Sequence, residues 1–381
     1  MITDSNNIVI LASWSIDKVN NKYFIPHTHY IYLTYICRIY TEVVLISPTR
    51  ITYLNDGNKT YLDFQNLKVI ELPYFKSYIE SIRYFFSFYS VIKSLKKYQK
   101  FYCRVPDPFS WLPSLFFNKK CILHFVGDPI DSILKDTSKN IFEKTILILL
   151  YIPDFILIIL ACRRSKVYTN GYHLSKRLSR FGIKANSLIS STLTKNDFSY
   201  TKKKQSQIIN LIYLGYLRYP KGIQTILNLI ILLEENKINF KFTIIGDGQM
   251  RNDIESFINK NNLSSKVKLL GHINDRCKIN EIFDMSDFFI FPSKSEGSPR
   301  VILEAMSRML PVISTPVGSL PYIFQDNNEI LFAEFDNPLS FYNKIIWALD
   351  HPNEIEKIKL NAFLKVKNNY TMDKFLTQIF K

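Results

Sequence analysis

Two glutamates, Glu296 and Glu304, stand eight positions apart in the stretch SEGSPRVILEA (residues 295–305), with a glycine, a serine and a proline between them. Upstream, SDFFIFPS (286–293) reads as a short apolar strand; downstream, RVILEAMSRM (300–309) has helical spacing and good helix formers. This grammar predicts a helix capped by Ser298, with Pro299 in its first turn, where a missing N–H costs nothing. Glu296 then ends a strand just before a helix N-terminus, and Glu304 lies about one and a half turns further in. Free N–H groups at a helix start attract phosphate, and a carboxylate accepts hydrogen bonds from hydroxyls. The pair therefore predicts a ligand that is anionic at one end and rich in hydroxyls at the other.

Positioning such a pair requires a sheet. Short apolar runs alternate with helical stretches along the chain, which indicates α/β layers with largely parallel strands. Residues 7–13, 42–47, 67–73, 121–127 and 166–170 read as strands in the first half, and 208–215, 240–246, 266–271, 287–293 and 310–316 in the second. Ligands collect at the carboxyl ends of such strands, so the loops starting at Gly215, Gly246, Gly271, Ser293 and Pro316 should converge. Two sheets joined near TKKKQSQ (201–207) predict a bilobed protein with a cleft. The tail, 368–381, reads as an amphipathic helix with Phe375, Ile379 and Phe380 as its apolar positions.

At 381 residues the chain is long for one core, and two domains are expected. The net charge of +16 is unevenly spread. Residues 1–204 hold 29 Lys and Arg against 14 Asp and Glu, a net of +15, and residues 205–381 hold 20 against 19, a net of +1. A basic half with many aromatics fits nucleic acid, an anionic membrane surface or an acidic substrate. Five scattered cysteines with no C-x-x-C pair, and no leader pattern at MITDSNNIVILASWS, fit a reducing cytoplasm. The most apolar stretch, ILILLYIPDFILIILAC (146–162), is interrupted by Pro153-Asp154 and reads as a buried helix followed by a buried strand, the alternative being a membrane-dipping element. For surface attachment, residues 78–101 mix aromatics with Arg83, Lys93, Lys96, Lys97 and Lys100 as an interfacial helix would, and equally as an amphipathic core helix would.

Five motifs in order, YLGYLRYPKGI (213–223), FTIIGDGQMRNDIESFI (242–258), VKLLGHI (267–273), FPSKSEGSPRVILEAMS (291–307) and PVISTPVGSLPYIF (311–324), resemble the retaining glycosyltransferases of family 4. The resemblance covers residues 208–335 well and is thin before them. It implies the GT-B fold, two Rossmann-like α/β domains facing a central cleft: an acceptor domain over 1–204, a nucleotide-sugar domain over 205–355, and a C-terminal helix over 356–381 crossing back to the first. Glu296 and Glu304 match the family's E-x7-E motif, in which the second glutamate binds the donor's ribose hydroxyls and the first lies by the transferred sugar. Gly297, Ser298, Arg300 and Val301 then line the sugar or diphosphate. Lys221 matches the lysine that neutralises the leaving diphosphate. Relatives carry a partner arginine where this chain has Tyr216; Arg218, two residues on, could reach the phosphates instead. Gly271 and Ile273 fall in the loop that binds the nucleobase, and Gly318 and Ser319 in the loop that faces the diphosphate.

On the acceptor side, LHFVGDP (123–129) places His124 inside a strand and Asp128 just beyond it. Asp128 is the preferred residue for acceptor binding or proton handling; His27 and His29 could also touch the acceptor, His29 being the one taken as an acceptor contact, with a structural role the alternative for both. No D-x-D occurs, so no metal cofactor is expected; Lys221 and helix dipoles can neutralise the diphosphate. Neither H-E-x-x-H, nor a Walker loop, nor G-x-S-x-G is present, which argues against metalloprotease, P-loop and serine-hydrolase chemistry. The function expected is transfer of a sugar from a UDP- or GDP-sugar to a lipid-linked saccharide acceptor in capsule, O-antigen or exopolysaccharide assembly. The enzyme would be cytoplasmic and held peripherally on the inner face of the cell membrane by its basic half. The alternatives are a basic nucleic-acid-binding protein, and a GT-B protein without transferase activity, either an epimerase or an inactive partner.

Overall fold

The structure, a computed structural model, describes residues 6–53, 59–135, 140–200 and 207–381. The expected joint at 201–207 and the first five residues fall almost wholly outside them. The chain forms two compact units, Met1–Leu188 with Leu376–Lys381, and Ile189–Phe375. Residues 189–200 thus belong with the second unit, and the returning segment starts at Leu376.

Unit 1 contains β1 (Asn7–Leu11), β2 (Ile16–Val19), β3 (Lys22–Pro26), β4 (Glu42–Ile51), β5 (Lys59–Tyr61), β6 (Leu67–Leu72), β7 (Lys100–Val105), β8 (Lys120–Phe125), β9 (Lys166–Asn170) and β10 (Asn186–Leu188). They form one sheet in the order β10-β9-β8-β7-β1-β4-β2-β3-β5, with β6 also paired to β4. The strands from β10 to β4 are parallel, in registers such as Ile10 opposite Leu45 and Cys103 opposite Leu123. Ile8, Val9 and Ile10 are all fully buried, as expected where helices cover both faces of a parallel sheet. The antiparallel hairpin β2–β3 escaped the sequence reading because it is short and turns on Asn20 and Asn21, both at positive φ.

Two expectations for unit 1 are overturned. Residues 78–101 are not one interfacial helix: they comprise helix Tyr78–Ser81, a 3₁₀ turn at Ile82–Tyr84, helix Phe85–Ser94 and the start of β7. Part of the cationic rim is engaged, with Lys97 paired to Glu42 at 3.3 Å. Nor do residues 146–162 form a buried helix and strand. A single 22-residue helix, Ile141–Cys162, runs through Pro153 and is long and apolar enough to cross a membrane. Pro153 is tolerated because it lies on the exposed side, where its missing N–H leaves an outer carbonyl to solvent. The helix starts in a full capping box, Asn140 accepting from Glu143 N at 2.9 Å and Glu143 from Asn140 N at 2.9 Å.

The tail is the helix Met372–Phe380, as the apolar spacing predicts. Within unit 1 its end is held by Tyr40, whose hydroxyl donates to the Phe380 carbonyl at 3.0 Å, and by the hydrogen-bonded pair Tyr35 and Thr377.

Unit 2 holds β11 (Ile209–Leu214), β12 (Phe240–Ile245), β13 (Val267–Leu269), β14 (Phe288–Phe291), β15 (Val312–Ser314) and β16 (Leu331–Phe332), all parallel, in the order β13-β12-β11-β14-β15-β16. The order reverses between β11 and β14, the point in such a sheet where ligands bind. All five strands read from the sequence are present; β16, two residues long, was not legible. Helices Ile223–Glu235 and Arg300–Ser307 turn Ile226, Leu229, Ile230, Ile302 and Ala305 into the core.

Candidate active site

The loops at the carboxyl edge of the second sheet converge through their own backbones. Gly246 N donates to Gly271 O at 2.9 Å, Lys294 N to Pro220 O at 2.8 Å, and Ser319 N to Gly297 O at 3.0 Å. Close approach explains two of the glycines. Gly222 (φ +73°) lies against Pro292, whose carbonyl oxygen would stand 2.0 Å from an added Cβ; Gly318 (φ +60°) lies against Glu296, whose carbonyl oxygen would be 2.4 Å away. The first anchors the turn carrying Lys221, and the second anchors the loop carrying Glu296.

Lys221 ends a 3₁₀ turn, Tyr219–Lys221, and its ammonium forms an ion pair with the Glu296 carboxylate. Ser293 Oγ donates to the same Glu296 oxygen at 3.2 Å. Tyr213 is the buried neighbour: burial, and then the negative charge of Glu296, push its phenol above its ordinary range. Glu304 is held by Arg276, Nη1 to Oε2 at 2.7 Å. Both glutamates remain 16% exposed at the side chain, so each could exchange its cation for a ligand without unfolding anything.

The helix after Glu296 starts one residue later than the sequence predicts. It spans Arg300–Ser307 with Pro299 at the cap position and no side-chain cap, so Ser298 does not cap it. Pro299 presents no side-chain acceptor to the start of the helix, and a helix N-terminus without such a cap suits a bound anion. The Arg300 guanidinium points elsewhere, donating to Ser190 Oγ at 2.6 Å. Ser319 is fully buried and gives both its N–H and its hydroxyl to Gly297 O, the hydroxyl at 2.8 Å. Its visible work is to hold the Glu296–Gly297 loop. Ile273 packs half-buried against the core just after Gly271, while His272 is exposed and bonded to Asn274. Arg218 is exposed, its guanidinium stacked over the Tyr216 ring at 4.9 Å.

The unit 1 residues singled out are held by their own surroundings. Asp128 pairs with Arg177, and its Oδ1 accepts from Ile130 N at 3.0 Å, capping the helix Pro129–Lys135. His29 stacks on Trp14 with ring centroids 4.9 Å apart. His124 is buried between Tyr102 OH at 2.7 Å and Asn170 Oδ1 at 2.9 Å, and burial lowers its pKa to about 4. Sequence reasoning passed over Asp107, which follows β7 and accepts from Ser13 N at 2.6 Å with Arg104 at 3.3 Å. Burial, the largest influence, raises its pKa. Ser13, Trp14, His29, Arg104 and Asp107 thus form one polar and aromatic cluster at the carboxyl ends of β1 and β7. The dipeptide Asp107-Pro108 was its only signal, because β7 itself was not legible. Arg276 was also missed, although Asp275 is a readable cap, its Oδ1 accepting from Cys277 N at 2.8 Å, that places Arg276 first in a helix.

Among the described residues, no cluster of three or more His, Cys, Asp or Glu side chains is arranged to hold a metal ion.

Comparison with known proteins agrees with this geometry. Residues 194–365 match the family model of glycosyl transferases group 1. The chain is 35% identical over 140 residues to an uncharacterized glycosyltransferase of Methanocaldococcus jannaschii, 37% of this chain and 38% of that one. It is 30% identical over 150 residues to UDP-Gal:alpha-D-GlcNAc-diphosphoundecaprenol alpha-1,3-galactosyltransferase of Escherichia coli, 39% of this chain and 38% of that one. The match thus spans about two fifths of the length of these curated relatives. Among solved structures, the Anabaena protein HepE in complex with UDP is similar with a TM-score of 0.69 at 12% identity, over 98% of each chain. At that identity the likeness establishes the fold, GT-B with two Rossmann-like α/β domains. The sequence matches are thus to glycosyltransferases.

Proposed function

We propose that this protein is a retaining glycosyltransferase of family 4. It would take a sugar from a nucleoside-diphosphate donor and pass it to a lipid-linked saccharide on the inner face of a membrane, in assembly of a cell-surface polysaccharide. The observation that carries the reading is the pairing of Lys221 with Glu296 and Arg276 with Glu304, beside a helix start with no side-chain cap. Two cations, two carboxylates and a helix N-terminus at the carboxyl edge of one sheet are what a diphosphate bearing a ribose and a sugar requires.

The chemistry follows from charge. As the C1–O bond of the donor breaks, negative charge builds on the leaving diphosphate, and Lys221 with the helix N-terminus at Arg300 would stabilise it. Glu304 accepts hydrogen bonds from ribose hydroxyls, and Glu296 lies where the transferred sugar sits. The acceptor oxygen bonds to C1 on the face the diphosphate leaves, and the departing phosphate oxygen takes the acceptor's proton, so configuration is retained. These residues supply the neutralising charge without a metal ion. In unit 1, the cluster of Trp14, His29, Arg104 and Asp107 supplies aromatic and polar surface for a saccharide. Uridine is the first base to try, because UDP occupies the Anabaena structure and the Escherichia coli relative is named for a UDP-sugar and a diphosphoundecaprenol acceptor.

The test is calorimetric titration of UDP, GDP, ADP and CMP into wild type and Glu304→Ala. Binding of one nucleoside diphosphate, weakened in the variant, is the expected result. No binding of any nucleotide to the wild type would overturn the donor site, and the basic half would have to be tested against single-stranded nucleic acid instead.

A further inference from the structure

The long helix Ile141–Cys162 reverses the usual polarity of a surface helix. Its inner face is buried: Tyr151, Asp154 and Ile158 pack into unit 1, with Trp111 Nε1 donating to the Asp154 carboxylate and Tyr78 set edge-on against Tyr151. Its outer face carries Phe142, Ile146, Leu149, Pro153, Ile156 and Leu160, spaced four, three, four, three and four apart, which is one side of an α-helix. Phe142 is 71% exposed, Leu149 60% and Ile156 53%. Between Lys144 and Arg163 the only charged residue is Asp154, on the buried side. The apolar stripe is about 27 Å long, well beyond a scattered surface leucine.

This stripe ends in a basic cavity. Arg163 and Arg164 follow the helix directly and line a cavity of about 670 Å³ with Lys100, Lys120 and Lys166, at the amino ends of β7, β8 and β9. No Asp or Glu lines it. Among the described residues, Lys120, Arg163, Arg164 and Lys166 have no carboxylate partner. Burial, and then the charge of Lys166, lower the pKa of Lys100, as expected where cations crowd. The cavity is on the opposite edge of the sheet from Ser13, Asp107 and Asp128.

We propose that the outer face of Ile141–Cys162 lies in the interface of an anionic lipid bilayer, with a phosphate headgroup seated in the Lys100–Lys120–Arg163–Arg164–Lys166 cavity at its end. The inference rests on the reading of a lipid-linked acceptor for its purpose. The buried inner face with Asp154 keeps the helix lying along a membrane rather than across it. A second copy is the weaker occupant. A helix-pairing seam is flanked by charges that set register, whereas this stripe is flanked by Thr145, Leu150 and Ile152, and pairing it would bring two strongly basic units together.

Flotation of the full chain with phosphatidylcholine vesicles, and with the same vesicles containing phosphatidylglycerol, tests this. Wild type should float with the anionic vesicles. Leu149→Glu and the double variant Arg163→Ala/Arg164→Ala should each weaken partitioning about tenfold or more, with far-ultraviolet circular dichroism and nucleoside-diphosphate binding unchanged. Retained nucleotide binding separates failure here from failure of the donor site. Flotation unaffected by either variant, or absent in wild type, overturns the proposal. So does a wild-type dimer that Leu149→Glu converts to monomer, or stabilisation by inorganic diphosphate through Arg163 and Arg164 without vesicle binding.

Discussion

In unit 2 the groups at the carboxyl edge of the sheet are charged, paired and open: Lys221 with Glu296, Arg276 with Glu304, each carboxylate still partly exposed. At the same edge of the unit 1 sheet Asp128 is likewise paired with a part-exposed Arg177, but the polar groups beside it, His124 and Asp107, are buried. His124 lies between Tyr102 and Asn170, and Asp107 under the Ser13 N–H. The difference teaches what each edge can bind. Ion pairs that can swap partners suit a ligand carrying its own charges, such as a diphosphate. A buried, pre-satisfied cluster beside the Trp14–His29 stack offers shape and a few fixed hydrogen bonds, which suits a neutral sugar.

The comparison can be broken most directly at Lys221. Lys221→Ala should lower sugar transfer about 100-fold or more, read as nucleoside diphosphate released in the presence of acceptor. A change of only twofold would mean the lysine serves Glu296 structurally and not the leaving group. Next in size is the pH response of unit 1. Folded His124 stays neutral down to about 4, whereas the unfolded chain's imidazole takes a proton near 6.5, so the unfolded state binds more protons between those values. Its contribution to stability is complete above 6.5 and is lost as pH falls toward 4, by up to about 3 kcal/mol. Urea midpoints of wild type and His124→Gln across that window measure it, and the variant should show the shallower decline.

Glu304→Ala should weaken nucleoside-diphosphate binding by about 2 kcal/mol. Arg276→Ala should act in the same direction but less, because the arginine orients the carboxylate and does not accept the ribose. Equal losses in the two variants, measured by calorimetry, would make Arg276 a ligand contact in its own right. The smallest effect belongs to the tail. Tyr40→Phe removes the hydrogen bond to Phe380 O and should cost about 1 kcal/mol, seen as a lower thermal midpoint with no change in nucleotide affinity.

Much of unit 2 is legible because its strands are apolar runs that end at Gly or Pro and its site residues sit in the loops that follow. Unit 1 is harder to read. β7 was hidden because Lys100–Val105 continues an aromatic and basic stretch with no turn residue before it, and the hairpin β2–β3 is too short for a periodic signal. The long helix was misread for a different reason. Pro153-Asp154 breaks a helix in most contexts, and only the burial of Asp154 against Trp111 and Tyr78, with Pro153 facing outward, lets the helix continue.

The sequence by itself determined the α/β class, the strands of the second sheet, the E-x7-E spacing and the concentration of positive charge in the first half, because these are properties of periodicity and residue type. Only the tertiary structure decided which cation meets which carboxylate, that Asp128 is held by Arg177 and that Asp107 lies under Ser13. It also decided that the most apolar helix turns its stripe outward. Those contacts join residues many positions apart, and local pattern carries no information about which distant side chain will arrive.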